Sequence, residues 1–338
     1  MFTSIYPSSL ISQVSEDTTP IYDLSDRGKL DIIASGQLKN SLLADLSPSD
    51  CSWDGHRSQA SKVENYYRSF ANYQGYAERM SVCSLFLDFK LVPADEVLKL
   101  KLSTASFCRV RFCPVCQWRR SLMWHSKALK ILPSVLEAYP TYRWLMLTLT
   151  IKNVPITDLR ATLTHLNKSF ERLSQLKYFP AEGWLKCSEV TRNARTNEAH
   201  PHFHILMMVK PSYFGVNYLS FDKWRSMWRK SARLDYDPEI EVKTFKDTDA
   251  DLFGVISEVI KYQVKESDLT ANRDWFLELS QQLHKTRAIS TGGILKNYFK
   301  QLENEPDDLI GKGDEDEETV GHLYFAWMAY MNQYQLRD

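Results

Sequence analysis

His200-Pro201-His202-Phe203-His204 heads the apolar run Ile205-Leu206-Met207-Met208-Val209, and this stretch gathers three of the chain's eight histidines. A short continuous apolar run of this length reads as a buried strand. Side chains alternate along a strand, so His202 and His204 share one face, roughly 7 Å apart, while Phe203 and Ile205 turn to the core. Two imidazoles on one face can grip a divalent cation, and a nearby carboxylate completes such a site. A lone His-x-His is as often an exposed polar strand end, so its meaning depends on its neighbours.

Outward from this strand, Trp144–Ile151 has the composition of a second buried strand. Asp158 opens a helix with apolar residues at Leu159, Leu163, Leu166, Phe170, Leu173 and Leu176, a 3.6 period. Trp184–Thr191 reads as a strand joined to the histidine strand through the polar link 192–199, a hairpin with a long loop. A helix over Phe221–Leu234, a strand over Ile240–Phe245 and a helix over Val255–Val264 follow. This order predicts an α+β fold with a central, mainly antiparallel sheet flanked by helices. Residues 1–55 read as a loose arm with one short helix, 60–82 as a helix, 303–318 as a flexible acidic link, and Leu323–Tyr334 as a last helix. The predicted organisation is thus an arm and helix over 1–78, a Cys-rich basic segment over 79–130, a catalytic domain over 131–300, and a linker with a terminal helix over 301–338.

Three constellations bear chemistry. Glu189 lies on the strand that precedes the histidines, and pairing through the link carries it beside His202 and His204. Two histidines and one carboxylate leave coordination positions open for a substrate. Carboxylate with imidazole suits Mn²⁺ or Mg²⁺ acting on phosphate, with Zn²⁺ as the alternative. In Glu258-Val259-Ile260-Lys261-Tyr262-Gln263-Val264-Lys265, Glu258 and Tyr262 stand four apart, as do Lys261 and Lys265, which makes each pair neighbours on a helix. A tyrosine hydroxyl can attack phosphorus when a base or cations assist it, and a carboxylate one turn away can act as base. The third is Cys108, Cys113 and Cys116, set among Arg109, Arg111, Trp118, Arg119 and Arg120. Its spacing fits a zinc site with Cys83 or His125 as fourth ligand, a redox dithiol being the competing reading. Arginines and an aromatic ring around such a site suit contact with DNA.

Composition restricts the classes little. Lys and Arg number 42, as do Asp and Glu, so net charge is zero. Their distribution is uneven: residues 101–130 hold seven basic side chains and no acid, and 303–318 hold nine acids and one lysine. That asymmetry suits a protein that meets a polyanion. No apolar run reaches the ~18 residues of a membrane span, and the first residues lack a secretory pattern, so a cytoplasmic location is expected and cysteines are expected as thiols or ligands. No Walker-type phosphate loop occurs, so unwinding of DNA would fall to another protein.

In order along the chain, Cys108–Arg120, His200–Leu206 and Glu258–Lys265 resemble the Rep initiators of small rolling-circle plasmids, members of the HUH endonuclease superfamily. Leu147–Val154, Leu166–Phe170 and Ser188–Thr191 fit as well, and the resemblance spans roughly 80–300. It implies a HUH-like domain with a small zinc-binding segment. His202 and His204 would hold the catalytic metal, with Glu189 joining them by strand pairing and His200 supporting from the loop. Tyr262 would form a 5′-phosphotyrosyl link, Glu258 would activate water at termination, and Lys261 would assist. It also favours Cys83 as fourth zinc ligand, and Arg109, Arg111, Arg119, Arg120 and Lys265 as DNA contacts. The implied partners are plasmid origin DNA, single-stranded or extruded as a hairpin, and a host helicase and polymerase, with no membrane. A HUH transposase or mobilisation enzyme, or a non-catalytic zinc-containing DNA-binding protein, is the alternative.

Overall fold

A computed structural model describes residues 20–23, 39–94, 97–245, 249–260, 263–302 and 319–337. The predicted arm and the acidic link fall largely or wholly outside these residues, as do Lys261 and Tyr262. The described residues form two compact units, one within Met1–Met123 and Pro306–Asp338, the other within Trp124–Glu305.

The first unit is built on β1 (Pro20–Asp23), β2 (Phe86–Ala94), β3 (Val97–Ala105), β9 (Gly321–Met328) and β10 (Gln333–Arg337), with helices α1 (Ser52–Arg68) and α2 (Gln74–Ser81). Its strands run antiparallel in the order β1-β3-β2-β9-β10. Leu87, Phe89 and Leu91 are buried while Asp88 and Lys90 are not, the period of two that gives a sheet one apolar face. Here the structure corrects three expectations. The helix read over 60–82 is two helices, the first starting at Ser52. Residues 86–105, read as part of a Cys-rich segment, form a hairpin. The last helix, read over Leu323–Tyr334, is instead the two strands β9 and β10. Leu323 and Phe325 are buried around exposed Tyr324, so the alternation of two wins over a helical reading of an aromatic-rich stretch. Tyr334 is fully buried, donates from its hydroxyl to the Ser84 carbonyl at 2.5 Å, and donates its amide N–H to the Asp54 carboxylate at 2.8 Å. The C-terminal segment is thus part of this first sheet.

In the second unit, β4 (Arg143–Thr150), β5 (Ala181–Arg192), β6 (Ala199–Val209), β7 (Ile240–Thr244) and β8 (Ile289–Gly293) form an antiparallel sheet in the order β7-β4-β6-β5-β8. The α+β expectation and the β5–β6 hairpin hold. The histidine strand β6 sits at the centre. One face is covered by the end of α3 (Pro114–Ala138) with α6 (Asp249–Val259) and α9 (Ile294–Gln301), which bury Trp144, Met146, Leu185, Leu206 and Met208. On the other face α4 (Leu159–Ser174) sets Phe170 edge-on to Phe203 and Trp184. Helix α5 (Phe221–Ser231) ties in through Trp228, whose indole donates to the Thr150 carbonyl at 2.9 Å. Helices α7 (Glu266–Ala271) and α8 (Arg273–Gln282) lead to β8. At Gly293 the backbone takes φ +55°, and a Cβ there would lie 2.1 Å from the Glu182 carbonyl, so only glycine lets β8 close onto β5. One helix is shorter than expected: α6 ends at Val259, where the sequence suggested continuation to Val264.

Candidate metal centre and nucleic-acid interface

Strand register assembles the first constellation. His202 lies opposite Glu189 on β5 and Thr150 on β4, and His204 opposite Cys187 and Thr148. These residues continue the helix-covered face beyond its apolar cluster, so that face changes from oily to polar toward one end of the sheet. Glu189 Oε2 stands 3.2 Å from His202 Nε2 and 3.0 Å from His204 Nε2. All three side chains are buried, and their ligand atoms fall within 4.8 Å of one another.

The outer ring nitrogens explain why this triad suits a cation. His202 Nδ1 faces the His200 carbonyl at 3.1 Å, and a carbonyl only accepts, so Nδ1 carries the proton. His204 Nδ1 is held by the Thr148 hydroxyl at 3.3 Å. A neutral His202 then aims its Nε2 lone pair at a carboxylate oxygen. That arrangement repels unless the ring takes a second proton or a cation sits between the donors. Burial pushes the Glu189 carboxyl up, but hydrogen bonds to His202 and His204 outweigh it and hold the group well below the usual carboxylate range. Burial also lowers His200, which favours its neutral form beside His202. The donor set therefore fits a divalent cation, with Glu189, His202 and His204 as ligands.

The segment carrying the second constellation reaches the same place. Val190, next to Glu189, donates its amide to the Gln263 carbonyl at 2.8 Å, and Arg192 donates to the Asp268 carboxylate at 3.1 Å. Glu258 is half-buried near the end of α6. Lys261 and Tyr262 lie outside the described residues, and Gln263 is the residue that follows them.

The cysteines of the first unit converge as well. The sulfurs of Cys83 and Cys113 are 3.7 Å apart, those of Cys83 and Cys116 3.7 Å, and those of Cys108 and Cys116 3.5 Å. A zinc tetrahedron with Zn–S bonds of about 2.3 Å has edges of about 3.8 Å. Cys83, rather than His125, is the fourth member of this cluster. Burial raises the Cys113 thiol, whereas hydrogen bonds from Cys108, Cys113 and Cys83 favour the thiolate at Cys116. The amides of Cys108 and Val110 point at the Cys83 and Cys108 sulfurs at 3.5 and 3.4 Å, as they would toward thiolates. Purified protein is expected to hold about one zinc per chain through this cluster. Metal analysis before and after a thiol-reactive mercurial checks this, and release of zinc should unfold the first unit by circular dichroism.

The model of a replication-protein family matches residues 99–335, more than two thirds of the chain. The chain belongs to this family of Rep replication proteins. It is 34% identical over 300 residues to a protein named rep from Streptococcus pneumoniae serotype 2, covering 86% of this chain and 93% of that one. A rep protein of Bacillus amyloliquefaciens is 34% identical over 314 residues, covering 82% and 90%. A replication protein of Staphylococcus aureus is 34% identical over 203 residues, covering 55% of this chain and 86% of its own. No solved structure matches.

Within this Rep chain the basic residues differ in their surroundings. Arg109, Arg120 and Lys265 are exposed. Arg119 instead lies over the rings of Trp53, Phe107 and Trp118 at 5.5 to 5.8 Å, and Arg111 lies 5.7 Å from the Phe112 ring. Among the described residues no helix is long and apolar enough to cross a membrane.

Two groups were not anticipated from sequence, Thr148 and Lys186, and His200, expected to support from a loop, lies on β6 and supports through its carbonyl. Thr148 follows only from register. Lys186 is buried on the opposite face, 2.6 Å from the Asn167 side-chain oxygen and 3.9 Å from the Phe203 ring centroid. Burial lowers it from the ordinary 10.5 to about 8. Below pH 8 both folded and unfolded chains carry this proton and the burial penalty is complete. Between pH 8 and 10.5 only the unfolded chain carries it, so stability rises with pH by on the order of 3 kcal/mol. Urea unfolding of wild type and Lys186→Met at pH 7.5 and 10 should show this gain in the wild type alone. An equal pH response in both proteins would exclude a buried charged lysine.

Proposed function

We propose that this Rep protein initiates rolling-circle replication of a plasmid by nicking one DNA strand at the origin through Tyr262. The observation that carries the reading is the convergence of Glu189, His202 and His204 beside the backbone anchor of Gln263, the residue after Tyr262. The α+β sheet with its central histidine strand is consistent with a HUH-like catalytic domain, and the Cys cluster with a zinc-binding segment.

When bound, Mn²⁺ or Mg²⁺ would supply Lewis-acid polarisation of the scissile phosphate and neutralise its charge. Glu189, His202 and His204 would hold that cation, with His200 and Thr148 fixing the two rings. The Tyr262 phenol attacks phosphorus, an O–P bond forms, and the 3′ oxygen leaves as a hydroxyl that can prime a polymerase. Lys261 offsets phosphate charge. The energy of the broken phosphodiester is kept in the phosphotyrosine, so rejoining requires no nucleotide. Glu258 activates water for release at termination. Arg109, Arg111, Arg120 and Lys265 contact DNA phosphates, and Arg119 supports them through its ring contacts. A host helicase and polymerase supply unwinding and synthesis in the cytoplasm.

The test is incubation with 5′- and 3′-labelled single-stranded oligonucleotides carrying origin sequence, with Mn²⁺. The expected product is an SDS-resistant adduct on the 5′ end of the downstream fragment, dependent on the cation. Cleavage without an adduct would favour a hydrolytic nuclease, and no cleavage with retained binding a DNA-binding module.

A further inference from the structure

Beside the cysteine cluster, within the first unit, lies an open cavity of about 490 Å³ lined by Arg79, Val82, Ser106, Phe107 and Arg109 among others. Its volume falls in the range of small-ligand sites. Among the described residues none that lines it is acidic. Arg79 comes from α2 and Arg109 from the cysteine loop, thirty positions later, so two guanidinium groups are brought to one hollow by the fold. Both residues are exposed. Arg79 donates one N–H to the Cys108 carbonyl, which fixes the guanidinium in place, and the group has five N–H donors in all.

Apart from Ser106 and Cys108, the rest of the wall is apolar. Val82, 56% exposed, forms part of the rim. The Phe107 ring is half-buried and held by Trp53 (centroids 6.4 Å apart, 21° between planes) and by Arg119. Arg109 has φ +55°, a backbone region that costs a non-glycine residue energy.

We propose that this cavity binds one unstacked nucleotide of single-stranded DNA, with phosphate on Arg79 and Arg109 and the base against Phe107 and Val82. A hollow with an aromatic wall accepts a flat base that has left its stack, whereas bases in a duplex present only their edges. The assignment deepens the proposed origin nicking and rests on it for the identity of the polyanion, but its test is separate.

Fluorescence anisotropy would compare wild type, Arg109→Asn and Val82→Glu on a labelled single-stranded oligonucleotide and on its duplex. Asparagine tolerates the left-handed backbone, and Val82 is exposed, so both variants should fold; zinc content and thermal midpoint verify it. Each variant should bind the single strand about tenfold more weakly, while the duplex should lose no more than about threefold, the share of one general phosphate contact at Arg109. Arg109→Asn should also lower the salt dependence by about 0.7 in log–log slope, one phosphate's share on a single strand. Wild-type affinity in both variants, or equal losses on single strand and duplex, would overturn the pocket. Weakened single-strand binding by the variants, with a wild type that forms no covalent adduct, would leave the pocket standing and remove the nicking reading.

Discussion

Replacement of His202 or His204 by alanine is expected to abolish cation-dependent strand cleavage, a loss of more than about 10²-fold, while DNA binding stays within a few-fold of wild type. Each histidine supplies one of two Nε2 donors that meet Glu189 Oε2 at 3.0 to 3.2 Å. Losing one leaves a buried carboxylate facing a single ring, too few ligands for a labile divalent ion. Calorimetric titration with Mn²⁺, next to cleavage of a labelled oligonucleotide, separates metal loss from unfolding. Thr148→Val, which removes only the hydroxyl at His204 Nδ1, should weaken the metal about tenfold and leave the fold intact. Parallel loss of DNA binding and cleavage in the alanine variants would mean that the triad is a structural clasp.

Much of this site was legible in the sequence because strand geometry is nearly deterministic. Once 192–199 is read as a hairpin link, a period of two puts Glu189, His202 and His204 on one face, and the register bears this out pair by pair. The cysteine cluster was legible for a different reason, since a Cys-x-x-Cys with a third cysteine nearby is uncommon outside metal sites. Cys83 was harder, standing 25 residues earlier and brought in only by the hairpin β2–β3 folding back so that the Ser84 amide reaches the Ser106 carbonyl.

The first sheet was legible and missed. Leu98-Lys99-Leu100-Lys101-Leu102 alternates strictly, but the nearby cysteines and arginines also suit a metal-binding segment. At the C-terminus, Leu323, Phe325 and Trp327 alternate too, yet an aromatic run next to an acidic stretch also fits a helix, and only pairing with β2 decides it. The pairing lies more than 230 residues away in the chain, and local pattern carries no trace of it. Helix α6 fails in the opposite way. Its apolar period continues past Val259, but the amide of Val190 takes the Gln263 carbonyl, so by that point the chain serves the sheet edge.

That edge contact is what makes the proposed nucleophile testable. Tyr262 precedes a residue whose carbonyl is 2.8 Å from the amide beside Glu189, and a phenol has an ordinary pKa of about 10, a poor nucleophile without help. Under the proposed mechanism, charge neutralisation at the phosphate by a cation on the triad and proton acceptance by Glu258 would supply that help. Tyr262→Phe keeps the ring and removes only the attacking oxygen. The variant is expected to fold, to bind Mn²⁺ and to bind DNA like wild type, and to form no SDS-resistant adduct, a loss of at least about 10³-fold in nicking. Glu258→Gln should form the adduct at near wild-type rate and release it more slowly, by about 10²-fold, because it lacks only the base for water. Mass spectrometry of the adduct after trypsin digestion should place the nucleotide on the peptide holding Tyr262. An adduct that persists in Tyr262→Phe and maps to another tyrosine would refute the assignment while leaving the metal triad in place.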